Sequence, residues 1–463
     1  MKKVTVVFVS VLMLAGTGLF AGSLDYLSNQ SAKWMMTASK NASTDGADIV
    51  QYNPAGTAYL PEGLHVDLSG QTLFKYYKSK DVNFSGVAGA GISPTKETLK
   101  QDYPTYILPN LYLVYNFGEI GPGKLAAYLQ AGIVAGGGEL QWKNGTAGTT
   151  FLLNGISATT AQQSFGTIVP TGVRSQEFTA SSIYYGVGVG VSYAFLDNMM
   201  SVSLGGRVVM AQRSFELEAA YAPPYTLGGK FDYDATGFTP IIGVNIKPTK
   251  ELTLAARFEA QTALEFEYKQ KRLGGTLQTA AETALIGAGI YDGKKTRQDL
   301  PHIIGLGANY KLNDQLTIDL SGTLYLLSTA NMGHVYNSGV DAGETNKYFS
   351  TGWEVGLGAT YKVLEQLKVG AGVLYTESGA KKKYLNDSKT VLNASANPSL
   401  DSIAIGLGGT YAVLYDVDFT LSFLWSHYLP ENFSLSPDNG AFTVSGKYAK
   451  DVIDIGYGVS YKF

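Results

Sequence analysis

The chain has 463 residues, with 55 Gly, 31 Tyr, 20 Phe and no Cys, and only 16% of its residues are charged. A formal net charge of -3 argues against a nucleic-acid-binding protein, which is expected to be basic. The mean hydropathy of +0.01 is far too low for a helical membrane protein, and beyond the N-terminus no apolar run reaches about 18 residues.

Residues 1–23, MKKVTVVFVSVLMLAGTGLFAGS, have the pattern of a secretory signal peptide. Lys2 and Lys3 precede an apolar run, and small residues follow up to Ser23. Cleavage could follow Ala21 or Ser23, and the small-x-small pattern favours the second. Because the rest of the chain has no Cys, we expect neither a lipoprotein nor disulfides. An exported, Gly- and Tyr-rich, marginally hydrophobic chain indicates the outer membrane.

Residues 24–63 follow the signal peptide and show no alternation of apolar and polar residues. The stretch NQSAKWMMTASKNA is compatible with a short helix that places Trp34, Met35 and Met36 on or near one side. In YNPAG, Pro54 restricts the preceding residue, so a turn is expected around Asn53.

From residue 64 to the C-terminus, apolar residues alternate with small or polar ones. In the last stretch, VIDIGYGVSYKF, the apolar face is Ile453, Ile455, Tyr457, Val459, Tyr461 and Phe463. Strict alternation predicts a β-strand, because successive side chains leave a strand on opposite sides. In a soluble sandwich the apolar face would turn to a core, whereas in an outer-membrane barrel it would turn to lipid.

About fourteen such strands recur along the chain. They are predicted at 64–74, 103–117, 124–138, 179–195, 199–215, 232–247, 251–268, 299–312, 315–328, 348–363, 366–377, 400–414, 416–428 and 447–463. Short connectors alternate with long ones, as expected of an even-stranded barrel with both termini in the periplasm. Tyrosines fall near strand ends, where an aromatic girdle would meet the headgroups. The sequence therefore predicts an all-β fold, a transmembrane antiparallel β-barrel of about 14 strands at residues 64–463.

The lumen-facing residues of these strands are mostly Gly, Ser, Thr and Ala. The charges scattered among them are Asp67, Arg207, Arg257, Glu259, Asp319, Glu354, Asp418 and Asp454. A barrel of about 8 strands is filled by its own side chains, and one of 16–18 leaves an aqueous channel. Fourteen strands with such small inward residues should leave a bore that is open or plugged, and residues 24–63 are predicted to form an N-terminal hatch in it.

Five features of the chain together resemble a known family. They are the stretch VQYNPAGTAYL directly before the first strand, the size of the plug, the strand count, the strand PHIIGLGANY and the terminal Phe463. The chain resembles the FadL/TodX family of outer-membrane transporters for long-chain fatty acids and other hydrophobic compounds. Only Asn53, Pro54 and Ala55 are specific at residue level, and the resemblance implies that they form one wall of the ligand site.

The resemblance also implies a passive, diffusion-driven route. Substrate would first bind apolar outer loops, then a site beside the hatch, and leave sideways through a gap made by a kink in the third strand. A lateral exit suits an apolar solute, because it avoids a watery pore. The residues that fit a lateral gate are Gly136, Gly137 and Gly138, since glycines within a strand often mark a bulge. The alternative is a loose strand end leading into the next loop.

The substrate is less defined than the route. A fatty acid would need one cation for its carboxylate near an apolar pocket, for which Arg207 and Arg257 are candidates, whereas an aromatic hydrocarbon would not. The fourth outer loop can form an amphipathic helix through Leu277, Ala281, Ala284, Leu285 and Ile286. Its apolar face would be either an interaction site or packed against another loop.

Two other classes remain as alternatives. A general porin for polar solutes would need an unplugged lumen with rings of charge. An enzyme such as an outer-membrane phospholipase would need a Ser-His pair, but His65, His302, His334 and His427 are scattered. We therefore expect a non-enzymatic monomer without metal or cofactor, whose partners are outer-membrane lipid and a hydrophobic small molecule.

Overall fold

The computed structural model describes residues 29–86, 97–163, 173–287, 289–337, 340–436 and 442–463. The predicted signal peptide at 1–23 and the first residues of the predicted hatch lie outside this range. No helix within the described residues is long and apolar enough to cross a membrane.

Seventeen strand segments form one closed antiparallel sheet, and a separate hairpin lies in an outer loop. The segments of the sheet are β1 (Gly63–Gly86), β2 (Glu97–Gln101), β3 (Thr105–Ile120), β4 (Gly123–Trp142), β5 (Ser175–Phe195), β6 (Met200–Ala220), β7 (Thr226–Ile246), β8 (Leu252–Glu259), β9 (Glu265–Gly274), β10 (Lys295–Arg297), β11 (Ile303–Lys311), β12 (Leu316–Tyr325), β15 (Gly352–Leu364), β16 (Leu367–Glu377), β17 (Ser402–Leu414), β18 (Val417–Leu435) and β19 (Phe442–Lys462). The hairpin consists of β13 (His334–Asn337) and β14 (Val340–Glu344).

Three barrel strands are interrupted, so that β2 and β3, β8 and β9, and β10 and β11 are each two segments of one strand. The barrel thus has 14 strands, and β19 pairs with β1 to close it. The predicted 14-stranded antiparallel barrel is confirmed.

Short helices complete the described structure. The α-helices are α1 (Ala32–Thr37), α2 (Ala147–Gln163), α3 (Gln278–Gly287), α4 (Lys382–Asn386) and α5 (Val391–Ala396). The 3-10 helices are Ala47–Gln51, Pro54–Tyr59, Leu327–Thr329 and Thr345–Tyr348. Except for α1 and the first two 3-10 helices, which precede β1, they lie in the connections at the end of the barrel opposite the start of β1 and the end of β19.

The outer face of the barrel is an apolar belt. On β19, Ile455 and Val459 are exposed, whereas their neighbours Asp454 and Ser460 are buried toward the lumen. Exposed tyrosines lie near the ends of the strands, among them Tyr115, Tyr310, Tyr361 and Tyr411. The alternation in the sequence therefore marks a lipid-facing side and a lumen-facing side, as predicted.

Several strands are longer than the sequence predicts. β5, β6 and β7 have 21 residues each, although a tilted membrane strand needs only about 9–11. Their outer ends carry ion pairs between neighbouring strands, such as Lys269 with Asp234 at 2.7 Å and Lys230 with Glu216 at 3.2 Å. Charged outward residues remove the apolar alternation on which the prediction depended, while the backbone ladder continues.

Candidate functional site

Residues 29–62, here called the N-terminal segment, lie inside the barrel. Their helix α1 packs on the lumen faces of β15 to β19, and the 3-10 helix Pro54–Tyr59 packs on β3 to β7. Glycines of the wall permit this close approach, since a Cβ atom at Gly356, Gly358, Gly372 or Gly406 would overlap a backbone carbonyl oxygen of residues 35–38. The small residues on the lumen side of the wall thus form the surface on which the N-terminal segment packs.

A buried ion pair joins the N-terminal segment to the seam where the barrel closes. Lys33 Nζ lies 3.1 Å from Asp67 Oδ2 on β1 and donates to Ser460 Oγ on β19 at 2.6 Å. Burial alone would lower the pKa of Lys33, but Asp67 and Asp48 outweigh burial and raise this pKa above its ordinary value. The ammonium is therefore held charged inside the lumen.

A second ion pair folds the N-terminal segment on itself. Lys40 Nζ lies 2.7 Å from Asp45 and 3.3 Å from the buried Asp48, which also accepts from Ser31 Oγ at 2.6 Å. Burial disfavours the charged form of Lys40, but Asp45 and Asp48 together raise its pKa. Paired, hydrogen-bonded charges of this kind allow a polar segment to be enclosed.

The predicted turn at Asn53, Pro54 and Ala55 is the start of a 3-10 helix. Asn53 is extended, with φ -155° and ψ 101°, and its side chain accepts from the Ala55 N–H at 3.1 Å. Its Nδ2 donates to Val244 O at 3.1 Å and to Asn245 Oδ1 at 2.6 Å, both on β7. The contacts found for Asn53 thus anchor the N-terminal segment to the barrel wall.

Arg207 and Arg257, the two candidate cations, are brought together. Arg207 Nη2 on β6 lies 3.0 Å from Glu259 Oε2, and Arg257 on β8 pairs with the other oxygen of Glu259. Arg257 also donates to the carbonyl of Tyr52 at 3.3 Å. Two guanidinium groups share one carboxylate, so these three side chains carry an excess positive charge.

The arginine pair lines a polar cavity of about 630 Å³ between the N-terminal segment and the wall. Its polar and aromatic lining also includes Gln30, Trp34, Asn41, Gln51, Tyr52, Glu259, Thr323, Tyr325 and Glu354, and apolar residues such as Val134, Leu300 and Ile303 complete it. Glu354 accepts from the Tyr325 hydroxyl at 2.9 Å. The cavity can hold a small polar or anionic group.

A second, mainly apolar cavity of about 1090 Å³ lies on the other side of Trp34. Its lining includes Leu73, Lys75, Tyr77, Gly137, Leu140, Leu374, Ala404, Leu424, Tyr428, Val452 and Asp454. Sequence reasoning missed Lys75, although its alternation with Asp67 along one strand places both on the lumen side.

The glycine run at Gly136 to Gly138 lies beside this apolar cavity. Gly136 and Gly138 have φ values of 89° and 77°, and the register between β4 and β5 shifts twice between Ile133 and Gly138. Pairing of β4 with β3 ends at Gly132, opposite Asn110. Because β4 continues to Trp142, the run is a bulge within the strand and not a strand end.

A third cavity, of about 550 Å³ and almost wholly apolar, lies under the outer loops between α2, α3 and the upper wall. Ala281 and Leu285 line it and Leu277 is also buried, whereas Ile286 is 48% exposed. The buried face of α3 is therefore narrower than the apolar face that the sequence predicted, because only one side of the helix packs on α2 and the barrel. The side chain of Ala284 lies outside the described residues.

Comparison with known proteins agrees with this architecture. The model of the family described as outer membrane protein transport protein (OMPP1/FadL/TodX) matches residues 13–463. The chain is similar to the structure of a Pseudomonas aeruginosa FadL homologue, with 15% identity and a TM-score of 0.67 over 97% of this chain and 100% of that one.

Two toluene transporters are also similar in structure. For TodX of Pseudomonas putida the identity is 14% and the TM-score 0.58, covering 95% of this chain and 99% of that one. For TbuX of Ralstonia pickettii the identity is 14% and the TM-score 0.55, covering 95% of this chain and 100% of that one. At these identities the likeness shows the fold alone. None of the curated proteins matches the chain.

Proposed function

The chain belongs to the OMPP1/FadL/TodX family of outer membrane transport proteins, and from this premise we propose that it carries long-chain fatty acids or other hydrophobic small molecules passively and releases them sideways through its wall. The observation that carries the proposal is the apolar cavity of about 1090 Å³ beside the unpaired stretch of β3 and β4. Several proteins of similar structure are toluene or monoaromatic hydrocarbon channels.

The route begins at the outer cavity under α2 and α3, whose apolar lining suits a solute leaving water. It continues to the apolar cavity beside Trp34 and leaves between β3 and β4 at the Gly136–Gly138 bulge. The N-terminal segment acts as the hatch that blocks the axial path. This arrangement avoids carrying an apolar molecule down a polar bore.

For a substrate with a carboxylate, Arg207 and Arg257 supply the cation. The two arginines share the single carboxylate of Glu259, so together they keep one positive charge for a ligand. A ligand carboxylate in a buried site needs such a charge-assisted partner. Asn53, Pro54 and Ala55 shape the ligand site indirectly, because the 3-10 helix that they begin sets the position of the N-terminal segment against the wall. The protein acts as a monomer, with lipid against its apolar belt.

The lateral exit can be tested at Gly137. A Cβ atom there would meet no other atom within 4 Å, so Gly137→Trp should fill the opening without displacing the wall. Gly274→Trp is the matched control, because a Cβ atom at Gly274 on β9 is equally unobstructed. Uptake of radiolabelled oleate and toluene by cells should fall with the first variant and stay unchanged with the control.

Uptake that is unaffected by a correctly folded Gly137→Trp variant would remove the lateral exit from the proposal. The alternative function, a general porin, predicts that liposomes containing the wild-type protein swell in small sugars. The ion-paired N-terminal segment in the bore argues against such a passage.

A further inference from the structure

The bulge of β4 leaves backbone carbonyls without partners in the sheet. β4 pairs with β3 only as far as Gly132, and Gly137 has no partner on β5 either. Buried carbonyl groups are almost always hydrogen-bonded, so other donors must satisfy those at the bulge. The identity of these donors therefore shows which groups set the spacing between the two strands.

The donors are side chains from outside β4, and the principal one is Lys75. Its Nζ donates to Gly137 O at 2.8 Å, to Glu139 O at 2.6 Å and to Thr105 Oγ1 at 2.8 Å. Thr105 in turn donates to Gly137 O at 2.7 Å. All three protons of the ammonium are used, and the residue is only 2% exposed.

Lys75 reaches β4 because the strand between them is interrupted. β1 pairs with β3 as far as Leu73 and with β2 from Tyr77 onward, so Lys75 lies opposite the break between β2 and β3. From there its ammonium binds the β4 carbonyls on the lumen side. Thr105 belongs to β3, so Lys75 and Thr105 together connect the two strands by side-chain hydrogen bonds where the backbone ladder between them is missing.

We propose that Lys75 is a positioning residue that fixes the spacing of β4 and β3 through side-chain hydrogen bonds, in place of the backbone ladder, and so sets the width of the lateral opening, an inference that rests on the proposed lateral exit. Without the Lys75 amino group, the carbonyls of Gly137 and Glu139 each lose a donor and become available to the backbone N–H groups of β3. The two backbones then approach the ladder spacing of about 4.8 Å, and the opening closes.

The test uses Lys75→Met, which keeps the length and removes the charge. Lys78→Met is the matched control, since Lys78 lies on the exposed outer side of the same strand. Lys75→Arg retains a charged donor and should restore the wild-type behaviour. Thr105→Val, which removes one hydrogen bond to Gly137 O, gives a milder second variant if Lys75→Met does not assemble.

The width is read directly by spin labels, because the chain has no native Cys. Labels at Ile107→Cys and Gln141→Cys flank the opening on β3 and β4, and labels at Leu320→Cys and Leu357→Cys on the paired strands β12 and β15 are the reference. In Lys75→Met the first distance should shorten and the second stay unchanged. Toluene uptake should fall roughly tenfold or more, as expected for losing hydrogen bonds to a charged group.

The outcomes separate this inference from the proposed function. Wild-type protein that takes up toluene, together with a Lys75→Met variant whose label distance and uptake are unchanged, overturns the role of Lys75 and leaves the transport function standing. A longer distance overturns it as well. Wild-type protein that takes up no hydrophobic substrate refutes the proposed function, while a shortened distance in Lys75→Met still supports Lys75 as the residue that positions β4.

Discussion

Replacing Gly372 by Ala should displace the N-terminal segment without opening the barrel wall. Gly372 lies on the lumen side of β16, where an added Cβ atom would overlap Thr37 O and lie 2.9 Å from Thr37 Cα. Its φ is not among the positive values, so alanine does not strain the strand itself. The entire effect falls on the contact with α1.

The magnitude follows from what the new methyl group meets. Overpacking a well-packed site costs about 1–3 kcal/mol, and the upper value applies because the neighbour is backbone and α1 is held by Lys33 and its partners. At 1.4 kcal/mol for each tenfold change, about 3 kcal/mol raises the displaced population roughly 100-fold. The sheet itself keeps every ladder hydrogen bond, so the barrel remains assembled.

Conductance in planar bilayers measures this shift, since a displaced N-terminal segment unblocks the bore. Quenching of Trp34, which is buried against Tyr52, is a second measurement. Gly305→Ala is the control, because its Cβ would meet only side-chain atoms at ordinary contact distances, of Asn41 at 3.4 Å and of Arg257 at 3.8 Å. A Gly372→Ala protein with wild-type conductance and wild-type quenching would show that the N-terminal segment does not depend on the lumen glycines for its position.

Three further variants probe the same segment. Replacing Asn53 and Pro54 by Ala removes the anchor to β7 and should reduce uptake of a hydrophobic substrate, while heat-modifiability on gels persists. Deleting residues 24–60 should raise ion conductance in planar bilayers, and an unchanged conductance would favour the porin alternative. Lys40→Met breaks the buried ion pair with Asp48, at a cost of about 3–5 kcal/mol, and should increase proteolysis of the segment in folded protein.

The 14 barrel strands, their lipid-facing sides and the turn at Asn53 could be predicted from the sequence because each depends on local rules. Alternation has a period of two residues, and Pro54 restricts only the residue before it. The glycine run at 136–138 likewise predicted a bulge that the structure contains. Prediction was poorer at the outer ends of β5 to β9, where charged side chains replace the apolar face although the ladder continues.

Only the tertiary structure decided why the lumen is lined with glycine and what holds the bulge. Gly372 contacts Thr37, and Lys75 binds Gly137 and Glu139, across separations of tens to hundreds of residues. The sequence identifies such positions as small or charged residues on the lumen side. Which residues they contact depends on how the closed barrel and the N-terminal segment are arranged in space. Gly372 meets Thr37 because the closed sheet encloses the N-terminal segment, and Lys75 meets β4 across the break between β2 and β3. No local pattern in the sequence records either meeting.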